Sequence, residues 1–66
     1  MIRPYVTVRL IDGLHTPCLI AVTPQGHTQV ADTRPGSEDT VEAKRDAVQW
    51  AFAANLEYRT HDHAPI

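Results

Sequence analysis

One segment of the chain, residues 37–58, has the length and the periodicity of an amphipathic helix. At about 100° per residue, its apolar side chains fall on one broad arc and its polar side chains on the opposite arc. The apolar arc comprises Val41, Ala43, Ala47, Val48, Trp50, Ala51, Phe52 and Ala54, and the polar arc comprises Glu42, Arg45, Asp46, Gln49 and Glu57. Asp39, followed by Glu42, matches a capping box and marks the start of the helix. In a chain of 66 residues, the other elements must pack against this helix.

Three shorter segments before the helix have the patterns of β-strands. Residues 5–11 alternate in polarity, which predicts a strand with two distinct faces. One face carries Val6, Val8 and Leu10, and the other carries Tyr5, Thr7, Arg9 and Ile11. Residues 18–23 are almost continuously apolar, as in a central strand, whereas the polar residues 27–33 predict an edge strand. A turn or short loop is expected at Asp12-Gly13 followed by His15-Thr16-Pro17, and a second turn at Pro24-Gln25-Gly26.

These elements predict an α+β domain that spans residues 1–66, with the order β-β-β-α. It is a three-stranded antiparallel meander with one C-terminal helix packed on one face, followed by a polar tail, residues 59–66. The sequence leaves open whether residues 56–60 add a short fourth strand. A single helix covers only one face of the sheet. Because Arg9 suggests that the second face is wet, we expect that face to be solvated or to contact a partner.

Composition and charge argue against several functional classes. The hydrophobic content of 42% is typical of a globular protein. The chain has a net charge of −2 and lacks the excess of Lys and Arg that is typical of nucleic-acid-binding proteins, so we do not expect a nucleic-acid partner. No apolar run approaches the ~20 residues of a membrane span, and no signal pattern is visible, so we expect no membrane association. The single Cys18 cannot form an internal disulfide, which favours the cytoplasm.

The histidines and the cysteine could in principle carry chemistry. The candidate ligands for a tetrahedral metal site are His15, Cys18, His27, His61 and His63. Their spacing lacks the paired ligands of structural zinc sites, so we interpret residues 61–63 as a solvated tail and predict no metal and no cofactor. Cys18 with His15 could form an activated thiolate, but a lone cysteine that opens a strand is more often a small core residue. No nucleophile, base and stabiliser occur together, so we predict no catalytic residues and no enzymatic activity.

The polar arc of the helix is the best candidate for a binding surface. Glu42, Asp46 and Glu57 are predicted to lie close together as a row of carboxylates. In one interpretation this is a solvated face, on which Glu42 takes part in capping the helix N-terminus and pairs with Arg45. In the other, the row meets the basic side chains of a partner, and Trp50 beside it either caps the core or anchors the interface. The predicted partner-binding residues are Glu42, Asp46, Gln49, Trp50 and Glu57.

The start of the helix also bears on nucleic-acid binding. Residues 40–44, Thr-Val-Glu-Ala-Lys, align with the KKxAK signature that opens the last helix of a double-stranded-RNA-binding domain, and Ala43 and Lys44 match it. With its β-β-β-α order, the chain resembles the C-terminal half of that domain. The two leading lysines are absent, and Glu42 and Asp46 would repel phosphate. The basic residues available for this role are Arg34, Lys44 and Arg45.

A second set of features extends over most of the chain. It comprises Arg3-Pro4 before a valine-rich strand, Gly26 in the second turn, Gly36-Ser37 before an acidic helix start, and an alanine-rich helix with Lys44, Gln49 and Ala51. In these features, in length and in element order, the chain resembles small bacteriophage anti-CRISPR proteins, particularly a type I-F family. The resemblance implies a non-enzymatic inhibitor in the cytoplasm of the host bacterial cell. Such an inhibitor binds a CRISPR effector complex and blocks target recognition or nuclease recruitment.

We therefore expect a small protein-interaction module, anti-CRISPR-like, that is a monomer or a weak dimer. Its expected partner is a bacterial protein complex with a basic surface, namely a CRISPR effector. Two alternatives remain open. One is a nucleic-acid-binding module of the double-stranded-RNA-binding type. The other is an antitoxin-like regulatory domain that dimerises through the edge strand predicted at residues 27–33.

Overall fold

The computed structural model describes residues 3–60, which form a four-stranded mixed sheet and one helix. The elements are β1 (Tyr5–Ile11), β2 (Leu14–Val22), β3 (Thr28–Thr33), α1 (Thr40–Ala53) and β4 (Glu57–Tyr58). The strand order is β3-β2-β1-β4, with β1 antiparallel to β2, β2 antiparallel to β3, and β4 parallel to β1. The α+β class is confirmed. The prediction of a purely antiparallel three-stranded sheet is wrong, because the chain returns after the helix and adds a strand.

Strand β4 pairs with the outer edge of β1. The Cα partners are Tyr5 with Glu57 and Val6 with Tyr58. Beyond them, the N–H of Arg59 donates to the carbonyl of Val6 at 2.9 Å, and the hydroxyl of Thr7 donates to the carbonyl of Arg59 at 2.7 Å. Arg59, the first residue of the predicted tail, is therefore held against the sheet. Residues 61–66 lie outside the described part of the chain.

The first hairpin is longer than predicted, because β2 begins at Leu14 and not at Cys18. Asp12 and Gly13 both have positive φ, 52° and 80°. Two consecutive residues of this kind form the tight turn that joins antiparallel strands directly. The strands on either side of the turn therefore pair without an intervening loop.

Pro17 lies inside β2, where the sequence predicted a turn. The pairing of β2 with the chain that follows it stops at Thr33 and resumes at the isolated bridge with Ser37. Pro17 lies opposite this gap. Because the strands are not paired there, the missing N–H of proline does not cost the sheet a hydrogen bond. Its carbonyl still accepts the N–H of Arg34 at 3.0 Å. Residues 34–37 consequently run along β2 and lead into the helix.

Helix α1 is shorter than the predicted segment, residues 37–58, and ends at Ala53. Asn55 adopts a left-handed φ of 56°. The next residue, Leu56, donates its N–H to the carbonyl of Ala51 at 2.8 Å. This is the Schellman arrangement, which satisfies terminal carbonyls and turns the chain away from the helix axis. The turn directs the following residues to the edge of β1.

The core between helix and sheet is built on small residues. Ala43, Ala47 and Ala51, spaced four residues apart, are buried on the side of α1 that faces the sheet. Packed around Val6, Ala47 and Ala51 are Val8, Leu19, Trp50, Leu56 and Tyr58. Because alanine side chains are short, the helix lies close to the sheet and buries only a narrow arc. The prediction of a broad buried arc is wrong for Val41, Val48, Phe52 and Ala54, which are exposed.

The second face of the sheet is buried at its centre, so the expectation that it is wet is wrong there. Away from the centre, the same face exposes Ile11, Leu14 and Val30 by 37%, 37% and 41%. The residues at most 1% exposed on this face are Tyr5, Thr7, Cys18 and Ile20. Val22 packs against them. The guanidinium of Arg59 lies 4.2 Å from the centroid of the Tyr5 ring and covers part of it. The centre of this face is therefore a second small core.

Candidate functional site

The start of α1 is capped in a way that does not use the side chain of Glu42. The carboxylate of Asp39 accepts the N–H of Val41 at 2.9 Å and that of Glu42 at 3.4 Å, which confirms Asp39 as the N-cap. The N–H of Asp39 itself donates to the hydroxyl of Ser37 at 3.0 Å. The capping box is therefore half formed, because Ser37 accepts the bond that Glu42 was predicted to accept. The Glu42 carboxylate remains exposed to solvent.

Glu42, Asp46 and Gln49 form one exposed stripe along α1, which we call the acidic stripe. Their spacing, i, i+4 and i+7, places them above one another on the helix surface. Within residues 3–60, neither carboxylate takes part in an ion pair, and the expected pair between Glu42 and Arg45 is not formed. Two negative charges thus lie one helical turn apart without a compensating cation in the described chain.

Glu57 does not belong to the acidic stripe. It lies on β4, beyond the helix end at Ala53, and its carboxylate is 3.3 Å from Nε of Arg59. The angular argument that placed Glu57 beside Glu42 and Asp46 assumed a helix through residue 58 and is wrong. Partner binding by Glu57 would have to involve the edge of the sheet.

Trp50 lies at the boundary of the helix–sheet core and is partly buried. It packs against the cluster of Val6, Ala47 and Ala51. The guanidinium carbon of Arg34 lies 4.5 Å from the centroid of its ring. The structure therefore shows Trp50 as a cap on the core, held on one face by a cation. A role of Trp50 as an interface anchor stays a prediction.

Three exposed apolar side chains on α1 were not predicted. Val41, Val48 and Phe52 are 71%, 42% and 88% exposed and form what we call the outer apolar stripe. Their spacing, i, i+7 and i+11, places them along one line of the helix surface, and Arg45 lies between this line and the acidic stripe. The sequence does carry a signal for this. The three alanines of the buried arc already complete a core stripe, so larger apolar residues outside that stripe are left on the surface.

Strand β3 is an edge strand, as predicted, and its edge is modified in two ways. The register of β2 with β3 shifts between Leu19 and Ile20, which leaves Ala31 as an extra residue in a bulge. The carboxylate of Asp32 accepts the N–H of Thr33 at 2.8 Å. Bulges and charged residues on an edge strand hinder pairing with another chain. The geometry of β3 does not favour dimerisation through this edge.

The residues considered for metal or thiol chemistry are not brought together. Residues 61–63 lie outside the described part, and residues 3–60 contain no group of three or more potential ligands. Cys18 is fully buried, and its thiol donates to the carbonyl of Thr16 at 3.2 Å, which confirms it as a core residue. His15 lies on the opposite face of β2, with its Nε2 3.2 Å from the hydroxyl of Thr40.

The basic residues of the RNA-binding interpretation do not form a common patch. Arg34 stacks on the ring of Trp50. Lys44 and Arg45 are consecutive on α1 and therefore point about 100° apart. Both are exposed, and Arg45 lies beside the acidic stripe. A phosphate backbone that approached Arg45 would also approach two carboxylates.

In the part of the chain that the structure describes, no helix has the length and apolarity needed to cross a membrane. Comparison with protein-family models, with curated proteins and with solved structures found no match to this chain. Inferences about its function therefore depend on its own sequence and on the geometry of its residues. The acidic stripe and the outer apolar stripe are the two surface features of α1 that this geometry singles out.

Proposed function

We propose that this chain is a small non-enzymatic protein-interaction module that binds a protein complex with a basic surface through the outer side of α1. Following the resemblance to anti-CRISPR proteins, the proposed complex is a bacterial CRISPR effector. Binding would block target recognition or nuclease recruitment in the cytoplasm of the host cell. The observation that carries the proposal is the exposure of Glu42 and Asp46 with no ion pair in residues 3–60.

Two like charges one helical turn apart repel each other weakly in water. A partner that brings Lys or Arg side chains to this stripe replaces the repulsion with attraction and accelerates association. Surfaces that bind nucleic acid carry such cations, because the surface must neutralise the charge of the phosphates. A small protein with an exposed acidic stripe can therefore compete with nucleic acid for the same surface.

The remaining residues of the predicted set have separate roles in this proposal. Gln49 extends the acidic stripe with a neutral amide that can donate and accept hydrogen bonds. Trp50 contributes through the part of its ring that the core and Arg34 leave accessible. Glu57 lies outside the helix surface and is not needed for the contact. The proposal therefore depends mainly on Glu42 and Asp46.

The test is capture of a purified type I-F effector complex by the immobilised chain, before and after nuclease treatment. We expect capture that resists nuclease and weakens as salt rises. The double variant Glu42→Gln/Asp46→Asn should lose most of it. Glu38→Gln is the matched control, because it removes an exposed carboxylate from outside the stripe, and it should behave like the unmodified chain. Equal capture by the double variant and the control would contradict the proposal.

The same experiment addresses the alternative in which the chain binds nucleic acid. Capture that disappears after nuclease treatment would show that the contact is made through nucleic acid. A gel-shift titration with double-stranded RNA would then be expected to show binding that depends on salt and is lost in Lys44→Gln/Arg45→Gln. No retardation of RNA at low salt would remove this alternative.

A further inference from the structure

We propose that residues 61–66, which lie outside the described part of the chain, bind across the second face of the sheet as a strap. This face is opposite to α1 and has Tyr5, Cys18 and Ile20 at its buried centre. Its occupant is thus the chain itself and not a partner protein. The inference does not rest on the proposed function, because the strap and α1 lie on opposite sides of the sheet.

The first argument is the burial of the second face. Cys18 and Ile20 lie on β2 and are 0% exposed, although α1 packs against the other face. Full burial of a side chain on a sheet face requires a second layer above it. Arg59 supplies part of such a layer over Tyr5, but Tyr5 lies on β1. A segment that continues across the sheet to β2 accounts for the burial of Cys18 and Ile20.

The second argument is the direction in which the described chain ends. Tyr58 is the last residue of β4, and Arg59 then donates its N–H to the carbonyl of Val6 at 2.9 Å. In a regular parallel ladder, the carbonyl of Arg59 would next accept a backbone N–H of β1. Here it accepts the hydroxyl of Thr7 at 2.7 Å, and the side chain of Thr7 belongs to the second face. The chain therefore leaves the edge of β1 on the side of the second face.

The third argument is length. At ~3.3–3.6 Å per residue, the strap can extend over about 20 Å. Neighbouring strands are about 4.8 Å apart, so a path from β4 across β1 and β2 to β3 covers about 14 Å. The strap is attached beside the face, which gives it a high effective concentration there. A weak contact is therefore enough to hold it, whereas a separate protein would also have to offset the entropy of association.

The fourth argument is charge. Two guanidiniums, those of Arg9 and Arg59, belong to the second face, together with the carboxylate of Glu57, which pairs with Arg59. Asp62 is the acidic residue of the strap and follows Arg59 by three positions. Arg9 is the next residue of β1 on this face after Thr7, where the chain leaves the edge. Asp62 thus lies within reach of Arg9, and this pairing would orient the strap.

The fifth argument is apolar surface. The second face leaves three apolar side chains partly exposed around its buried centre, namely Ile11, Leu14 and Val30. The last part of the strap, Ala64-Pro65-Ile66, is apolar and can pack against them. Pro65 lacks an N–H for a β-ladder and favours an extended conformation of the preceding residue. These properties suit a segment that lies across the strands and does not pair with them.

The first test measures the alkylation rate of the Cys18 thiol by iodoacetamide, because Cys18 is the single cysteine and lies under the proposed strap. The unmodified chain is compared with a chain that ends at Thr60. We expect alkylation to be at least about tenfold faster in the shortened chain, since loss of the strap opens the face locally. Ile66→Ser and Asp62→Asn should each accelerate it by about two- to fivefold, and they replace the shortened chain if that chain does not fold.

Two controls separate local opening from a general loss of stability. Phe52→Ser and Glu38→Gln remove an exposed apolar and an exposed acidic side chain outside the second face, and each should change the rate by less than about twofold. Low concentrations of urea should leave the rate of the shortened chain nearly unchanged, because local opening exposes little surface. A rate that rises with urea in parallel with global unfolding would contradict local opening.

The second test uses the unmodified chain and detects the contact directly. We expect nuclear Overhauser contacts between the methyl groups of Ile66 and those of Leu14 or Val30. A mixture of isotope-labelled and unlabelled chains distinguishes contacts within one chain from contacts between two copies. The contacts should occur within one chain and should weaken in Asp62→Asn, because the pairing with Arg9 is lost.

Three results would overturn the inference. One is the absence of contacts between Ile66 and the second face, which would favour the solvated tail predicted from the sequence. Another is a Cys18 alkylation rate that loss of residues 61–66 leaves unchanged in a folded chain. The third is contacts between copies only, which would assign this face to a second copy of the chain. None of these measurements involves a partner protein, so this inference and the proposed function can fail separately.

Discussion

The guanidinium carbon of Arg34 lies 4.5 Å from the centroid of the Trp50 ring. Arg34 belongs to the segment between β3 and α1, and Trp50 belongs to the second half of the helix. The contact therefore ties the chain that enters the helix to a later part of the same helix. It also covers one face of an aromatic ring that the helix–sheet core buries only in part.

Loss of this cation should lower the stability of the fold. We expect Arg34→Gln to reduce the free energy of unfolding by about 0.5–1 kcal/mol, since a cation over a partly exposed aromatic ring contributes this much. Arg45→Gln is the control, because Arg45 is exposed and forms no ion pair within residues 3–60. Urea unfolding followed by Trp50 fluorescence measures both. Equal midpoints for the two variants would show that the contact does not stabilise the fold.

The N-cap offers a test of how the helix starts. Asp39→Ala should cost about 1 kcal/mol, because it removes the acceptor for the N–H groups of Val41 and Glu42. Asp39→Asn should keep most of the stability, since the amide oxygen can still accept. Glu42→Ala should cost clearly less than Asp39→Ala, because Ser37 and not Glu42 completes the cap. If thermal unfolding shows the same loss of stability for Glu42→Ala as for Asp39→Ala, the full capping box is formed.

The close contact between α1 and the sheet predicts sensitivity to side-chain size at the alanines. Ala47 is fully buried, so Ala47→Leu should force the helix away from the sheet and cost about 1–3 kcal/mol. Ala53→Leu is the control, because Ala53 is exposed and leucine is also a good helix former. The expected difference is measurable by urea unfolding. Similar stabilities would mean that the alanine stripe is not closely packed.

Gly36 makes the closest backbone approach among the glycines. A Cβ at this position would lie 2.7 Å from the hydroxyl oxygen of Thr16 and 2.9 Å from Cβ of Leu14. Gly36→Ala should therefore cost roughly 1–3 kcal/mol, as other overpacking substitutions do. In a double-mutant cycle, Thr16→Ala should recover part of this loss, because it removes one of the two clashing atoms. Strict additivity of the two substitutions would rule out the clash with Thr16.

Local signals in the sequence account for several elements. The alternation of residues 5–11 predicted β1 with its observed bounds. Pro24-Gln25-Gly26 predicted the turn, in which the N–H of Gly26 donates to the carbonyl of Thr23 at 2.8 Å. Asp39 predicted the N-cap. Each depends on the conformational preference of a few consecutive residues, and such preferences act before any tertiary contact exists.

The candidate surface was predicted less completely, because its composition depends on which side of the helix is buried. Helical periodicity grouped Phe52 with the alanines on one apolar arc, although only the alanines allow close approach to the sheet. The same periodicity, continued past Ala53, placed Glu57 on the helix. Glu42 and Asp46 were located correctly, since the polar side of a helix is solvated in nearly any packing.

The sequence by itself therefore determined the α+β class, the first strand, the turns at Asp12-Gly13 and Pro24-Gln25-Gly26, and the cap of the helix, because these depend on local backbone preferences and polarity patterns. Tertiary structure alone decided the rest. Asn55 ends the helix where the chain can reach β1, β4 completes the sheet, and the alanine stripe selects which arc is buried. These outcomes depend on contacts between residues far apart in the chain, and it is those contacts that left Phe52 on the surface.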